Sequence, residues 1–128
     1  MKTLAKIFFA LLLGTTLVHA SAFSKDAKFR TMQVHITADK PITTGSNLFL
    51  FELKKNGTPL TDAKVSVKAF MPAMPGMPAM SSKAVAKNLG NGKYSASLNL
   101  VMNGTWQLHI FVTQKSGKKS RIKTSLNF

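Results

Sequence analysis

The stretch Tyr94-Ser95-Ala96-Ser97-Leu98-Asn99-Leu100-Val101-Met102-Asn103-Gly104-Thr105-Trp106-Gln107-Leu108-His109-Ile110-Phe111-Val112 decides the fold. Tyr94, Ala96, Leu98, Leu100 and Met102 form one apolar stripe, and Trp106, Leu108, Ile110 and Val112 form a second. A period of two is the mark of a strand with one face in a core. Asn103-Gly104 supplies the turn between them. A two-residue hairpin there would set Met102 opposite Thr105 and Leu100 opposite Gln107, mixing apolar and polar residues on one face. Either the loop takes three residues, or the two strands lie in different sheets, as strands E and F do in the immunoglobulin topology. The second arrangement keeps both stripes in the core and is preferred.

The same punctuation continues on both sides. Thr31 to Thr37 alternates, with Met32, Val34 and Ile36 on one side and Gln33, His35 and Thr37 on the other. Leu48 to Leu53 is apolar except for Glu52, which predicts a strand buried on both faces. Lys54-Lys55-Asn56-Gly57 then turns the chain, since Asn-Gly tolerates positive φ. Val65, Val67 and Ala69 alternate with Lys64, Ser66 and Lys68. Ser82 to Leu89 predicts one weak strand, closed by Gly90-Asn91-Gly92, and a last strand runs from about Ser120 to Phe128 with Ile122 and Leu126 as its apolar points. No helical period survives for a dozen residues. About seven such strands predict an all-β, immunoglobulin-like β-sandwich over residues 30–128, preceded by a short linker over 21–29.

The chain has 128 residues, 45% of them hydrophobic, with 18 Lys and Arg against 4 Asp and Glu and a formal charge of +14. That length fits one domain, and that apolar content excludes a disordered polymer. Asp26, Asp39, Glu52 and Asp62 are the only carboxylate side chains, and there is no Cys. Disulfides, thiolate nucleophiles, zinc-finger ligands and lipoprotein anchoring are therefore excluded together. No nucleophile elbow or paired-carboxylate spacing is present, and the chain reads as a non-enzyme. The cationic excess suits an anionic partner. Lys54, Lys55, Lys64, Lys68, Lys115, Lys118, Lys119, Arg121 and Lys123 are spread as outward residues on strands and turns with no aromatic residues interleaved to stack bases, so no specific nucleic-acid role is expected. A solvated face, or one that guides docking to an acidic partner, is the expectation.

Lys2 and Lys6 precede an apolar or small run from Ile7 to Val18, followed by His19-Ala20-Ser21-Ala22. This is the pattern of a secretory signal peptide over residues 1–20, with cleavage after 20 or 22. The run falls short of the roughly 20 apolar residues that span a bilayer. A periplasmic protein with no transmembrane segment after processing is expected.

The sharpest local signal is Met71-Pro72-Ala73-Met74-Pro75-Gly76-Met77-Pro78-Ala79-Met80, which holds four of the chain's seven methionines. Thioether sulfur is a soft donor suited to Cu(I), and it persists where a thiol would be oxidised. In polyproline II, a period of three brings all four methionines to one edge about 9 Å apart. Alternatively, Met74-Pro75-Gly76-Met77 forms a type II turn with Pro second and Gly third. Met71, Met74, Met77 and Met80 are the candidate copper ligands. The competing reading is an apolar loop that packs on the sandwich end or docks to a partner through methionine plasticity. With Val65 to Phe70 as strand C and Tyr94 to Val101 as strand E, the methionine loop and the Met102 to Thr105 turn share one end. Met102 then becomes the best additional donor, or else a side chain closing the core edge. Met32 is expected at the opposite end. His35 and His109 fall opposite the apolar stripes of their strands and are secondary metal candidates.

The segments Thr44-Gly45-Ser46-Asn47, Gly57-Thr58-Pro59-Leu60-Thr61-Asp62-Ala63-Lys64-Val65, the Met-Pro repeat, Gly92-Lys93-Tyr94-Ser95 and Met102-Asn103-Gly104-Thr105-Trp106 occur in an order that resembles YtkA-like, FixH-related domains. The resemblance covers about residues 30 to 128, and Gly-x-Tyr followed by Met-x-Gly-x-Trp is its most specific part. It implies a small immunoglobulin-like sandwich of the bacterial envelope, non-enzymatic, with some members associated with copper resistance or copper-oxidase assembly. The chain departs from the family in its scarcity of acidic residues. Two functions are therefore expected in competition. One is Cu(I) binding, with buffering or transfer of the ion to an efflux or oxidase-assembly partner. The other is a metal-free envelope module that docks to a membrane complex.

Overall fold

The computed structural model describes residues 22–128. The expected signal peptide lies outside them. The described chain forms ten strands: β1 (Phe23–Phe29), β2 (Met32–Ala38), β3 (Gly45–Lys55), β4 (Thr58–Pro59), β5 (Lys64–Met71), β6 (Met80–Val85), β7 (Lys87–Gly90), β8 (Lys93–Leu100), β9 (Thr105–Thr113) and β10 (Lys119–Asn127). They make two antiparallel sheets. One has the order β1-β2-β3-β8-β7, with β4 also paired to β3; the other has the order β10-β9-β5-β6. With β2 as strand A, the first sheet reads A-B-E-D and the second G-F-C plus one added strand. That is the immunoglobulin-like order expected from the stripes.

β8 and β9 lie in different sheets, and both stripes face inward: Tyr94, Leu98, Leu100, Trp106, Leu108 and Ile110 are all fully buried. Tyr94 also ties the two layers together. Its hydroxyl donates to the Leu60 carbonyl at 2.7 Å and accepts from the Ala63 N–H at 3.2 Å, holding the link by which the chain crosses from β4 to β5. Burial raises the Tyr94 pKa, the Ala63 hydrogen bond opposes this, and the Asp62 charge adds to the rise.

Four expectations need correction. Leu48 to Leu53 is buried on one face only: Phe49, Phe51 and Leu53 point inward, whereas Leu48 is 68% exposed, because a two-layer sandwich leaves the outer side of each sheet uncovered. The linker expected over 21–29 is strand β1 from Phe23 onward, paired along its length with β2. Phe23 meets Phe49 edge to face at 6.0 Å between centroids. Ser82 to Leu89 is not one strand. The chain leaves β6 at Val85 and enters β7 in the other sheet at Lys87, with the Ala86 N–H bonded to the Val65 carbonyl at 2.8 Å. These additions and the short β4 raise the count from about seven strands to ten.

Candidate metal centre

β5 and β6 are adjacent strands joined by the Met-Pro segment, and prolines set its shape. Met71 pairs with Met80 as the last rung of the ladder. Pro72 and Pro78 have no N–H to donate, so regular pairing stops. It resumes once, at Met74 and Met77, which exchange N–H···O bonds of 3.0 and 2.8 Å. Pro75 and Gly76 close the tip, and Gly76 has φ 80°, the value a type II turn requires at its third position. The hairpin form, not polyproline II, is therefore adopted. Four methionines are brought into two cross-strand pairs.

The pairs occupy different environments. Met71 continues the inward row of Val65, Val67 and Ala69 and is only 4% exposed. Met80 and Met102 are half-buried against the core. Met74 stands at the tip, 46% exposed, with Met77 beside it in the turn. The expected sharing of an end is also found. A Cβ built on Gly104 would lie 2.9 Å from the terminal methyl of Met71, so the turn after β8 sits directly against the base of the methionine hairpin. The Gly104 N–H and carbonyl both bond to Phe128, at 3.1 and 3.3 Å, and the Trp106 Nε1–H donates to the Met102 carbonyl at 3.0 Å. Met32 pairs with Lys55 at the other end of the sandwich. Met71, Met74, Met77, Met80 and Met102 thus gather at one end, with Met32 excluded.

The histidines do not join them. His35 lies mid-strand on β2, between Asp26 on β1 and Glu52 on β3, with Nδ1 2.5 Å from Asp26 Oδ1. His109 lies mid-strand on β9, on the outer face of the other sheet, between Lys68 and Lys123. The two imidazoles are on the outer faces of different sheets, whereas Met71 points into the core, so the histidines do not share one site with each other. Among the described residues no three His, Cys, Asp or Glu side chains converge as a metal cluster. What the sandwich end offers is therefore a set of neutral, soft thioethers, whose affinity for a soft cation does not require loss of a proton.

The His35–Asp26 pair is not legible in the sequence, because residues 23–29, strand β1, lack a clean strand pattern. Lys25 sits at an inward position of that strand and breaks its apolar pattern; its Nζ donates to the Ser125 carbonyl at 2.6 Å. The His109 imidazole packs edge to face against Phe70 at 5.0 Å and Phe111 at 6.1 Å. Burial, and then Arg121, Lys123 and Lys68, hold its pKa below the ordinary 6.5. An NMR titration should give a His109 midpoint below 6.5, moving upward in Lys123→Gln. On acidification the unfolded chain takes up this proton first, so stability falls as pH drops from the unfolded value toward the lower folded one. A midpoint at or above 6.5 would show that the cations do not act on the ring.

No helix of the described residues is long and apolar enough to cross a membrane. No curated protein matches the chain. Among solved structures, the PmoD soluble domain from Methylocystis sp. ATCC 49242 (Rockwell) is similar at a TM-score of 0.53 and 17% identity, over 79% of this chain and 94% of that one. At that identity the likeness concerns the fold. The family model described as YtkA-like matches residues 26–111, which span both sheets and the methionine hairpin, and the chain belongs to the YtkA-like family.

Proposed function

We propose that this protein is an exported, non-enzymatic copper-binding domain that takes Cu(I) on the thioethers of its methionine hairpin and buffers it or passes it to a membrane efflux or oxidase-assembly partner. The observation that carries the reading is the gathering of five of the seven methionines at one end of the sandwich, with the Met74 and Met77 pair at the exposed tip. Met74 and Met77 make first contact with the ion, and Met71, Met80 and Met102 supply further sulfur from the core edge. Membership of the YtkA-like family supports this role, and the basic segment before Ile7 supports export to the periplasm.

The test is an anaerobic titration of the purified protein with Cu(I) against a competing chelator. Met74→Leu with Met77→Leu should weaken binding by more than the roughly 10- to 100-fold that loss of an outer-shell partner costs. His35→Gln and His109→Gln should leave it unchanged. Failure of the protein to compete at any chelator-buffered copper level in the micromolar range would overturn the copper reading. The exposed apolar tip at Met74 would then favour the second reading, a metal-free hairpin that docks to an envelope partner through adaptable methionine contacts.

A further inference from the structure

All four carboxylate side chains lie outside the β10-β9-β5-β6 sheet: Asp26 on β1, Asp39 after β2, Glu52 on β3 and Asp62 before β5. The strands of that sheet carry Lys64, Lys68, Lys83, Lys119, Arg121 and Lys123, all at outward positions. Register aligns several of them. Lys123, His109, Lys68 and Lys83 form one row across four strands, about 14 Å long at ordinary strand spacing. The neighbouring rows bring in Phe70 on one side, and Arg121, Phe111, Ser66 and Val85 on the other. Phe70, His109 and Phe111 therefore stand as an aromatic ridge among cations, a juxtaposition that corrects the expectation of a basic surface without interleaved aromatics. Val85 is among the most exposed large apolar side chains of the described residues. Between β6 and the ridge lies a shallow depression of about 440 Å³, bordered by Ser66, Lys68, Lys83, Val85 and Phe111.

We propose that this outer sheet face docks onto a bilayer surface containing anionic phospholipid. A face of a single sign, without one acid on its strands, matches a surface of uniform opposite charge better than the mixed charges of a protein interface. Stacking of nucleic-acid bases needs open ring faces. Here the Lys68 ammonium sits over Phe70 at 5.3 Å, and both phenyl rings meet the same imidazole nearly at right angles. An apolar ridge flanked by lysines suits the boundary between headgroups and acyl chains, where cations reach phosphates and rings enter the interface. The depression beside Lys68 and Lys83 seats one phosphate headgroup. Because the methionine hairpin extends β5 and β6, docking in this way brings its tip alongside the bilayer. The inference is independent of the copper reading.

Vesicle co-sedimentation of the purified protein tests it. Binding is expected to phosphatidylglycerol–phosphatidylcholine vesicles and not to phosphatidylcholine alone, with steep loss as salt rises. Lys68→Ala with Lys83→Ala should lower the partition coefficient on the order of tenfold or more. Lys54→Ala with Lys87→Ala makes the same change in net charge on the other sheet and should have a much smaller effect. Equal losses from the two pairs, or no vesicle binding at low salt, would overturn the proposal. So would tighter binding to a single-stranded oligonucleotide than to the vesicles at matched salt.

Discussion

Trp106→Ala is expected to remove about 3–5 kcal/mol of folding stability, a large share of the roughly 5–15 kcal/mol that a domain of this kind possesses. Trp106 is the chain's single tryptophan and is wholly buried at the head of β9. Its truncation leaves a cavity at the end of the sandwich where Leu100, Leu108 and Leu126 also lie in the core. The neighbours cannot collapse into that space, because Trp106 is fixed by pairing to Leu126 on β10 and the turn before it is clamped to Phe128. Trp106→Phe keeps most of the packing but leaves the Met102 carbonyl without its indole donor, for a smaller loss of about 1 kcal/mol. Urea unfolding followed by circular dichroism measures both. A loss below about 1 kcal/mol for the alanine variant would mean that this end of the core is loosely packed. The phenylalanine variant also bears on the site, because the indole hydrogen bond fixes the backbone from which Met102 projects.

The second large effect is expected at Gly92. Its φ is 78°, and a Cβ there would stand 2.8 Å from the Leu53 carbonyl oxygen, 3.0 Å from Pro59 Cβ and 3.2 Å from the Leu60 nitrogen. Two of these three atoms are backbone and cannot swing aside. They also belong to a working hydrogen bond, since the Leu60 N–H donates to the Leu53 carbonyl at 3.0 Å, while the Leu53 N–H donates to the Gly92 carbonyl at 2.8 Å. Gly92→Ala should therefore cost about 2–4 kcal/mol, the left-handed penalty plus the displacement of the β3–β4 hairpin. Gly57→Ala isolates the first contribution. Gly57 also has φ 78° but nothing within 4 Å of the added carbon, and it should lose only about 1–2 kcal/mol. Equal losses at the two positions would show that the close approach at Gly92 carries no energetic weight.

Features that depend only on neighbours along the chain are legible without the fold. The stripes of β2, β5, β8 and β9 are local periodicities, and the mismatch that a two-residue hairpin would create between the β8 and β9 stripes left a longer loop or separate sheets, of which the fold adopts the second. The turn at Met74-Pro75-Gly76-Met77 was one of two forms open to the sequence, since proline fixes its own φ and glycine admits the positive φ that follows, and pairing of β5 with β6 selects it over polyproline II. Once strand C was placed, the end of the sandwich holding the methionines followed from the topology. Tertiary structure alone decided which apolar residues are covered and which distant residues meet. Leu48 and Phe49 are both apolar, but one is exposed and one buried, because only one face of the sheet has another layer against it. β1 is a strand despite an inward Lys25, whose ammonium is satisfied by a carbonyl 100 residues away. The single weak strand expected over Ser82 to Leu89 divides at Ala86 because the two sheets, not the chain, end the pairing there. The aromatic ridge among lysines was hidden for the same reason. Phe70 and Phe111 lie on strands separated in sequence and come together only through antiparallel register, a relation between strands that no window along one strand contains.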